Sequence, residues 1–170
     1  PDGYRLEEGD IVSIDVGACC DGFHGDNAYT FIVGNTTEEN KQLLRETEAA
    51  LYKGIEQAVV GNRIGDISHA IETHVTQFGY GIVRKFVGHG VGKALHEDPE
   101  VPNFGRAGHG PRLVEGMTIA IEPMITMKGD GVRIMPDGWT TKTVTGANAA
   151  HFEHTIAITS NGPMILTKRK

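Results

Sequence analysis

Alternation of apolar and polar positions marks the first structured part of the chain. Residues 11–19 place aliphatic side chains on one face and polar or small side chains on the other, which is typical of a half-buried strand. Asp21-Gly22 follows, a dipeptide that favours a two-residue hairpin turn, and residues 23–33 return as a second strand. The pattern therefore predicts a β-hairpin.

Two later segments repeat apolar residues at intervals of three and four, as amphipathic helices do. The first begins at the capping-box sequence of residues 36–39 and continues to Gly61, and the second runs from Asp66 to Gly79. Five further strand candidates occupy residues 82–87, 117–122, 132–135, 139–144 and 152–159. Strands, two helices and then more strands indicate a single α+β domain over residues 1–170.

Composition excludes several classes of function. The chain of 170 residues has 22 acidic and 16 basic side chains and a net charge of −6, which argues against a general nucleic-acid binder. No apolar run approaches the roughly 18 residues of a membrane span. The adjacent Cys19 and Cys20 are predicted to be free thiols in a reducing compartment. We expect a cytoplasmic protein without a membrane or a specific nucleic acid as partner.

Acidic side chains recur on the predicted strands beside small residues. Across the turn, Asp15 is expected to lie diagonal to Asp26, with Cα atoms about 7–8 Å apart. Two carboxylates this close repel each other unless a proton or a cation separates them. Glu122 and Glu153 also stand on faces of small residues. A solvent-exposed face explains any one of these acids, but four acids on faces with almost no lysine favour a cavity.

One histidine stands out because glycines surround it. His89 lies in Gly88-His89-Gly90-Val91-Gly92, where the backbone can approach its neighbours closely. A histidine in a loop is more often plain polar surface, and His24, His109, His151 and His154 carry no signal of their own.

Convergence of these side chains would create a metal site. The candidate ligands are Asp15, Asp26, His89, Glu122 and Glu153. An oxygen-rich set with one imidazole suits Co, Mn, Fe(II) or Zn. Four negative charges exceed what one divalent ion neutralises, so two ions that share carboxylates are expected, as in hydrolytic two-metal sites.

Seven short motifs resemble type I methionine aminopeptidases in order and spacing, most closely the bacterial form, over nearly the whole chain. They are Ser13-Ile14-Asp15-Val16, Asp21-Gly22-Phe23-His24-Gly25-Asp26, Gly88-His89-Gly90-Val91-Gly92, His96-Glu97-Asp98-Pro99, Ile121-Glu122-Pro123-Met124, Asp137-Gly138-Trp139-Thr140 and Glu153-His154-Thr155. The resemblance implies the pita-bread α+β fold, in which two pseudo-symmetric halves surround a dinuclear metal site. It also implies a cytoplasmic, monomeric hydrolase that removes the N-terminal methionine of nascent polypeptides, with ribosome association left open.

The resemblance assigns a role to each candidate ligand. Asp26 and Glu153 would bridge two divalent ions, Asp15 would hold one ion, and His89 and Glu122 would hold the other. Glu122 would also move the proton of the attacking water.

The same resemblance implies a set of substrate-binding residues. His96 would hydrogen-bond the scissile carbonyl oxygen in an oxyanion role. Trp139, Leu95 and Met124 would line the methionine pocket. Many family members carry an aromatic residue where Leu95 stands, so this pocket is expected to differ in shape.

The chain begins at Pro1, which resembles the last residue of a His-Gly-Ile-Pro-like stretch of the family. We therefore expect a catalytic domain that is incomplete at its N-terminus, without the first part of the N-terminal half and its pocket histidine. Three alternatives stay open: an X-Pro aminopeptidase or prolidase of the same fold, a metal-free binding module, and an inactive fragment. The X-Pro peptidases usually carry a histidine where Lys93 stands.

Overall fold

The computed structural model describes residues 3–168, which form two helices and twelve strands. The helices are α1 (Glu38–Glu56) and α2 (Ile64–Thr76). The strands are β1 (Ile11–Cys20), β2 (Phe23–Ile32), β3 (Gly81–Ile82), β4 (Gly88–Gly90), β5 (Glu97–Val101), β6 (Thr118–Ile121), β7 (Met124–Thr126), β8 (Val132–Ile134), β9 (Thr141–Thr143), β10 (Ala149–His151), β11 (His154–Thr159) and β12 (Gly162–Ile165). The α+β class is confirmed. Pro1 lies outside the described residues.

The hairpin of β1 and β2 forms as predicted. Asp21 and Gly22 both have positive φ, 49° and 81°, as the type I′ turn between two antiparallel strands requires. The pairing places Gly17 opposite Asp26, which is the predicted register.

The prediction that β1 is half buried is wrong. Ile14 and Val16 are 49% and 57% exposed, and β1 pairs with β2 in a two-stranded sheet. The aliphatic face of this sheet is open to solvent among the described residues, so alternation alone does not establish burial.

Both helices form, with different ends from those predicted. The Thr37 side chain caps α1 by accepting the backbone N–H of Asn40, and Asp66 lies inside the first turn of α2, where it accepts the N–H of Arg63 at 2.7 Å. The helices end well before the predicted Gly61 and Gly79. Ala58 is fully buried although it follows α1, so the apolar pattern outlasts the helix. Within residues 3–168, neither helix is long and apolar enough to cross a membrane.

Two sheets pack with the helices around one apolar core. Their strand orders are β12-β11-β6-β4-β5 and β10-β7-β3. The core includes Leu43, Leu51, Ile67, Ile71, Ile119, Ile121, Ile125, Phe152, Ile156 and Ile158. Strands β4, β5, β7, β10 and β12 were not predicted, and the predicted strand over 82–87 is wrong beyond Ile82. The antiparallel pairing of β6 with β11 sets His154 opposite Ile121 and so brings the end of one strand beside the start of the other.

Candidate metal centre

The strand pairings bring the predicted acids and His89 to one place. Asp15 lies on β1, Asp26 on β2 and His89 on β4, Glu122 directly follows β6, and Glu153 directly precedes β11. All except Asp15 are buried. Nε2 of His89 lies 3.5 Å from Oε1 of Glu122 and 3.9 Å from Oδ2 of Asp26. Single donor atoms of Asp26, His89 and Glu153 lie within 4.8 Å of one another.

Hydrogen bonds between β2 and β11 hold two of these acids together. The Thr155 hydroxyl accepts the backbone N–H of Asp26 and donates to the carbonyl oxygen of Asp26, both at 2.8 Å. The backbone N–H of Glu153 donates to the carbonyl oxygen of Ala28 at 2.9 Å. Asn27 donates through its side-chain amide to the carbonyl oxygen of Glu153. The backbone at Asp26 and at Glu153 is therefore held in place independently of contacts between their carboxylates.

Glycines let β4 approach its neighbours closely enough to insert His89. A Cβ atom on Gly88 would lie 2.3 Å from the carbonyl oxygen of Ala120, and one on Gly90 would lie 2.3 Å from that of Asp98. Real Cβ atoms essentially never approach a backbone oxygen so closely. The prediction that these glycines permit close approach of the backbone is confirmed.

The tautomer of His89 follows from its backbone contact. Nδ1 of His89 lies 2.9 Å from the carbonyl oxygen of Gly90, and a carbonyl oxygen can only accept, so Nδ1 carries the proton. In the neutral ring, Nε2 then presents a lone pair to the oxygens of Glu122 and Asp26. A lone pair that faces carboxylates is stabilised by a cation between them.

The carboxylates perturb one another strongly. Burial, followed by the charges of Glu122 and Asp26, raises the pKa of Glu153 to about 10. Burial, followed by the charge of Asp15, raises the pKa of Asp26. Oε1 of Glu153 is buried without a hydrogen-bond partner among the described residues, and no lysine or arginine in residues 3–168 pairs with the cluster. Buried carboxylates with an unsatisfied oxygen and an imidazole lone pair fit divalent cations.

Three predicted substrate-binding residues lie near this cluster. His96 is exposed, and its ring centroid is 4.2 Å from that of His89. The methyl groups of Leu95 lie against Gly17, 3.1 and 3.2 Å from the position that a Cβ atom would take there. Met124 lines a cavity of about 220 Å³ that His151 also borders.

Trp139 is not brought to the cluster. Its side chain is 89% exposed and does not line the cavity beside Met124, although Thr141 from the same hairpin does. The backbone N–H of Trp139 donates to Oδ1 of Asp137 at 3.0 Å, which stabilises the turn. Among residues 3–168, Trp139 therefore does not line this cavity, and its role in a methionine pocket stays a prediction.

One residue of the cluster was missed by the sequence reasoning. Nε2 of His151 lies 3.3 Å from Oε2 of Glu122, and His151, Glu122 and Glu153 form a second group whose donor atoms lie within 4.8 Å of one another. The available signal was its position two residues before Glu153, since alternate residues of an extended chain share a face.

Comparisons with known proteins agree with this arrangement. The model of metallopeptidase family M24 matches residues 1–160. A methionine aminopeptidase of Clostridium perfringens is 55% identical over 98% of this chain, and the match covers 67% of that protein. The chain thus spans about two thirds of the length of this relative.

Solved structures show the same relationship. The crystal structure of methionine aminopeptidase from Thermotoga maritima has a TM-score of 0.94 and 52% identity, covering 96% of this chain and 66% of that one. Prolidase from Pyrococcus furiosus is more distant, with a TM-score of 0.78 and 28% identity over 98% of this chain and 44% of that one. The pita-bread fold is confirmed, and the chain belongs to metallopeptidase family M24 and, within it, to the methionine aminopeptidases.

Proposed function

We propose that this chain hydrolyses the bond after an N-terminal methionine of nascent polypeptides with the help of two divalent metal ions. The observation that carries the proposal is the buried cluster of Asp26, His89, Glu122 and Glu153, with Asp15 beside it. The names of the relatives, methionine aminopeptidases at about half identity, support the same substrate. We further propose that it acts as a cytoplasmic monomer, in keeping with the expectations from its sequence.

Five residues would hold the ions. Asp26 and Glu153 would bridge them, Asp15 would complete one site, and His89 with Glu122 would complete the other. When bound, the ions would supply Lewis acidity, which polarises the scissile carbonyl and makes a water nucleophilic near neutral pH. Co, Mn, Fe(II) and Zn all suit this mixture of carboxylate and imidazole donors.

Glu122 is the residue best placed to move the proton. Its carboxylate is buried, and its two oxygens face His89 and His151 at 3.5 and 3.3 Å. In the proposed reaction Glu122 accepts a proton from the attacking water as the new C–O bond forms. It then passes the proton to the leaving amine as the C–N bond breaks.

His96 is placed to stabilise charge on the substrate. It is exposed above the ring of His89, at the solvent side of the cluster. A ring N–H of His96 would donate to the scissile carbonyl oxygen and would bind it most strongly once that oxygen carries negative charge. Because the neighbouring histidine is buried and His96 is not, the peptide would approach from the side of His96.

The cavity beside Met124 is the candidate methionine pocket. Val83, Phe86, Met124 and Ala149 give it largely apolar walls, as a thioether side chain requires. His151 belongs both to this cavity and to the second group of metal-ligating side chains. A methionine held here would therefore present its peptide bond beside the cluster.

Turnover of a Met-Gly-x peptide with added Mn²⁺ or Co²⁺ tests the proposal. We expect release of methionine by the wild type and none by Asp26→Ala. A matched control, Asp130→Ala, removes an exposed aspartate that pairs with Arg84 and should leave the rate unchanged. Equal rates for the wild type and Asp26→Ala would refute the dinuclear mechanism.

The same assay separates the alternatives. Preferential cleavage of an Ala-Pro-x peptide would indicate the X-Pro peptidase. Metal binding without any turnover would indicate an inactive fragment, and the absence of metal binding would indicate a binding module.

A further inference from the structure

His151 has a buried ring nitrogen that makes no hydrogen bond among the described residues. Its side chain is 16% exposed, but Nε2 itself is buried. Burial of an unpaired ring nitrogen is costly in free energy, so such an atom is expected to have a ligand.

The distances around Nε2 match the geometry of shared coordination. Nε2 of His151 lies 3.3 Å from Oε2 of Glu122, without the geometry of a hydrogen bond. Two donors that each lie about 2.1 Å from one ion are about 3.0–3.4 Å apart in octahedral or tetrahedral coordination. A carboxylate oxygen of Glu153 completes a group within 4.8 Å, and Glu153 also belongs to the group that contains His89.

The main chain of His151 is held as firmly as that of the acids. Its backbone N–H donates to the hydroxyl of Thr30 at 2.9 Å, and that hydroxyl donates to the carbonyl oxygen of His151 at 2.8 Å. Thr30 is buried, and β10 pairs His151 with Met124 of β7. His151 therefore lies on a hydrogen-bonded strand, and its backbone position is well defined.

We propose that His151 is a sixth ligand of the metal centre, binding the ion that Glu122 holds. The donor set then contains two imidazoles and four carboxylates, and all of them except Asp15 fall into the two groups that share Glu153. The extra nitrogen would favour borderline ions such as Co²⁺, Zn²⁺ or Fe²⁺ over Mn²⁺ or Mg²⁺ at this position. The inference rests on the proposed function, of which it refines the metal site.

Cadmium provides a direct test, because scalar coupling between Cd²⁺ and histidine ring protons passes only through a coordination bond. The protein is saturated with an NMR-active isotope of Cd²⁺, and couplings to the histidine rings are assigned. We expect couplings to the rings of both His89 and His151. Coupling to His89 alone in the wild type would overturn the inference, and this test does not depend on any variant.

Two variants extend the test to affinity. His151→Gln should lose one coupling and weaken the binding of one Mn²⁺ by about tenfold or more in a calorimetric titration. The matched control is His154→Gln, because Nδ1 of His154 is already engaged with Thr167 and Asn27 and should not ligate. Wild-type affinity for both ions in His151→Gln would contradict the inference.

These outcomes are separable from the proposed function. Coupling to His89 alone, together with metal-dependent release of methionine, would refute the role of His151 and leave the function standing. Coupling to both rings without any release of methionine would support the role of His151 and refute the proposed function.

Discussion

We expect the ionised carboxylate of Glu153 to destabilise the metal-free protein near neutral pH. Replacement of Glu153 by glutamine should reveal this effect. The carboxyl is 2% exposed, and burial with the neighbouring charges raises its pKa from 4.5 to about 10. A raised folded-state pKa means that the group stabilises the fold below its unfolded-state pKa, and that this contribution is lost as the pH rises towards the folded-state value. The free energy of unfolding thus falls by up to about 1.4 kcal/mol per pH unit in this window.

The magnitude at neutral pH follows from this slope. The raised pKa corresponds to at most about 3 kcal/mol at about pH 7. We expect about 1–3 kcal/mol, because the coupled carboxyls share the protonation. Glu153→Gln removes the titration while preserving the shape of the side chain. With a chelator present, the variant should match the wild type near pH 5 and exceed its stability by this amount near pH 7.

Denaturant unfolding at both pH values, with and without Mn²⁺, measures the effect. Added Mn²⁺ should reverse the order, since only the wild type gains the stabilisation that a tightly bound ligand provides. The control Glu56→Gln changes an exposed partner of Lys53 and should shift stability by less than about 0.5 kcal/mol. A variant that is less stable than the wild type near pH 7 without metal, or a difference that does not depend on pH, would refute the reasoning.

Substitutions at three further positions test other parts of the site. His96→Ala should lower kcat/KM for a methionyl peptide by about 100-fold or more and leave Mn²⁺ affinity within about twofold, since the residue is exposed; a calorimetric titration beside the kinetics checks both. Gly90→Ala should cost about 2–4 kcal/mol in thermal unfolding, because its Cβ atom would lie 2.3 Å from the carbonyl oxygen of Asp98. Thr155→Val should lose about 1–3 kcal/mol with the two hydrogen bonds to Asp26, and Thr155→Ser, which keeps the hydroxyl, should lose less.

Local patterns predict the parts of the fold that local chemistry determines. The hairpin register follows from the Asp21-Gly22 turn, which the structure forms with both φ angles positive. The ends of the helices depend on packing instead. Ala58 keeps the apolar spacing of α1 because the core buries it, although the helix has already ended. Short strands such as β7 and β10 form because they pair with segments distant in sequence. A local sequence pattern does not reveal such pairing.

The candidate site shows the same division. The register of one hairpin is enough to predict that Asp15 and Asp26 are diagonal neighbours. His151 carries only a weak local signal, its position two residues before Glu153, because its contact with Glu122 joins segments that are distant in sequence. Trp139 was assigned to the pocket by resemblance, yet its indole is exposed to solvent. Side chains whose function depends on partners distant in sequence are those that a single sequence predicts least well.

The central claim is that the buried carboxylates bind divalent ions in order to release N-terminal methionine. The most direct measurement is the rate of methionine release from a Met-Gly-x peptide as Mn²⁺ is titrated into the metal-free protein, with bound Mn²⁺ counted in the same samples. The account predicts that the rate rises with occupancy, saturates as two ions bind per chain, and stays at background for Asp26→Ala. A fully occupied protein that releases no methionine, or an Asp26→Ala rate equal to that of the wild type, would contradict it.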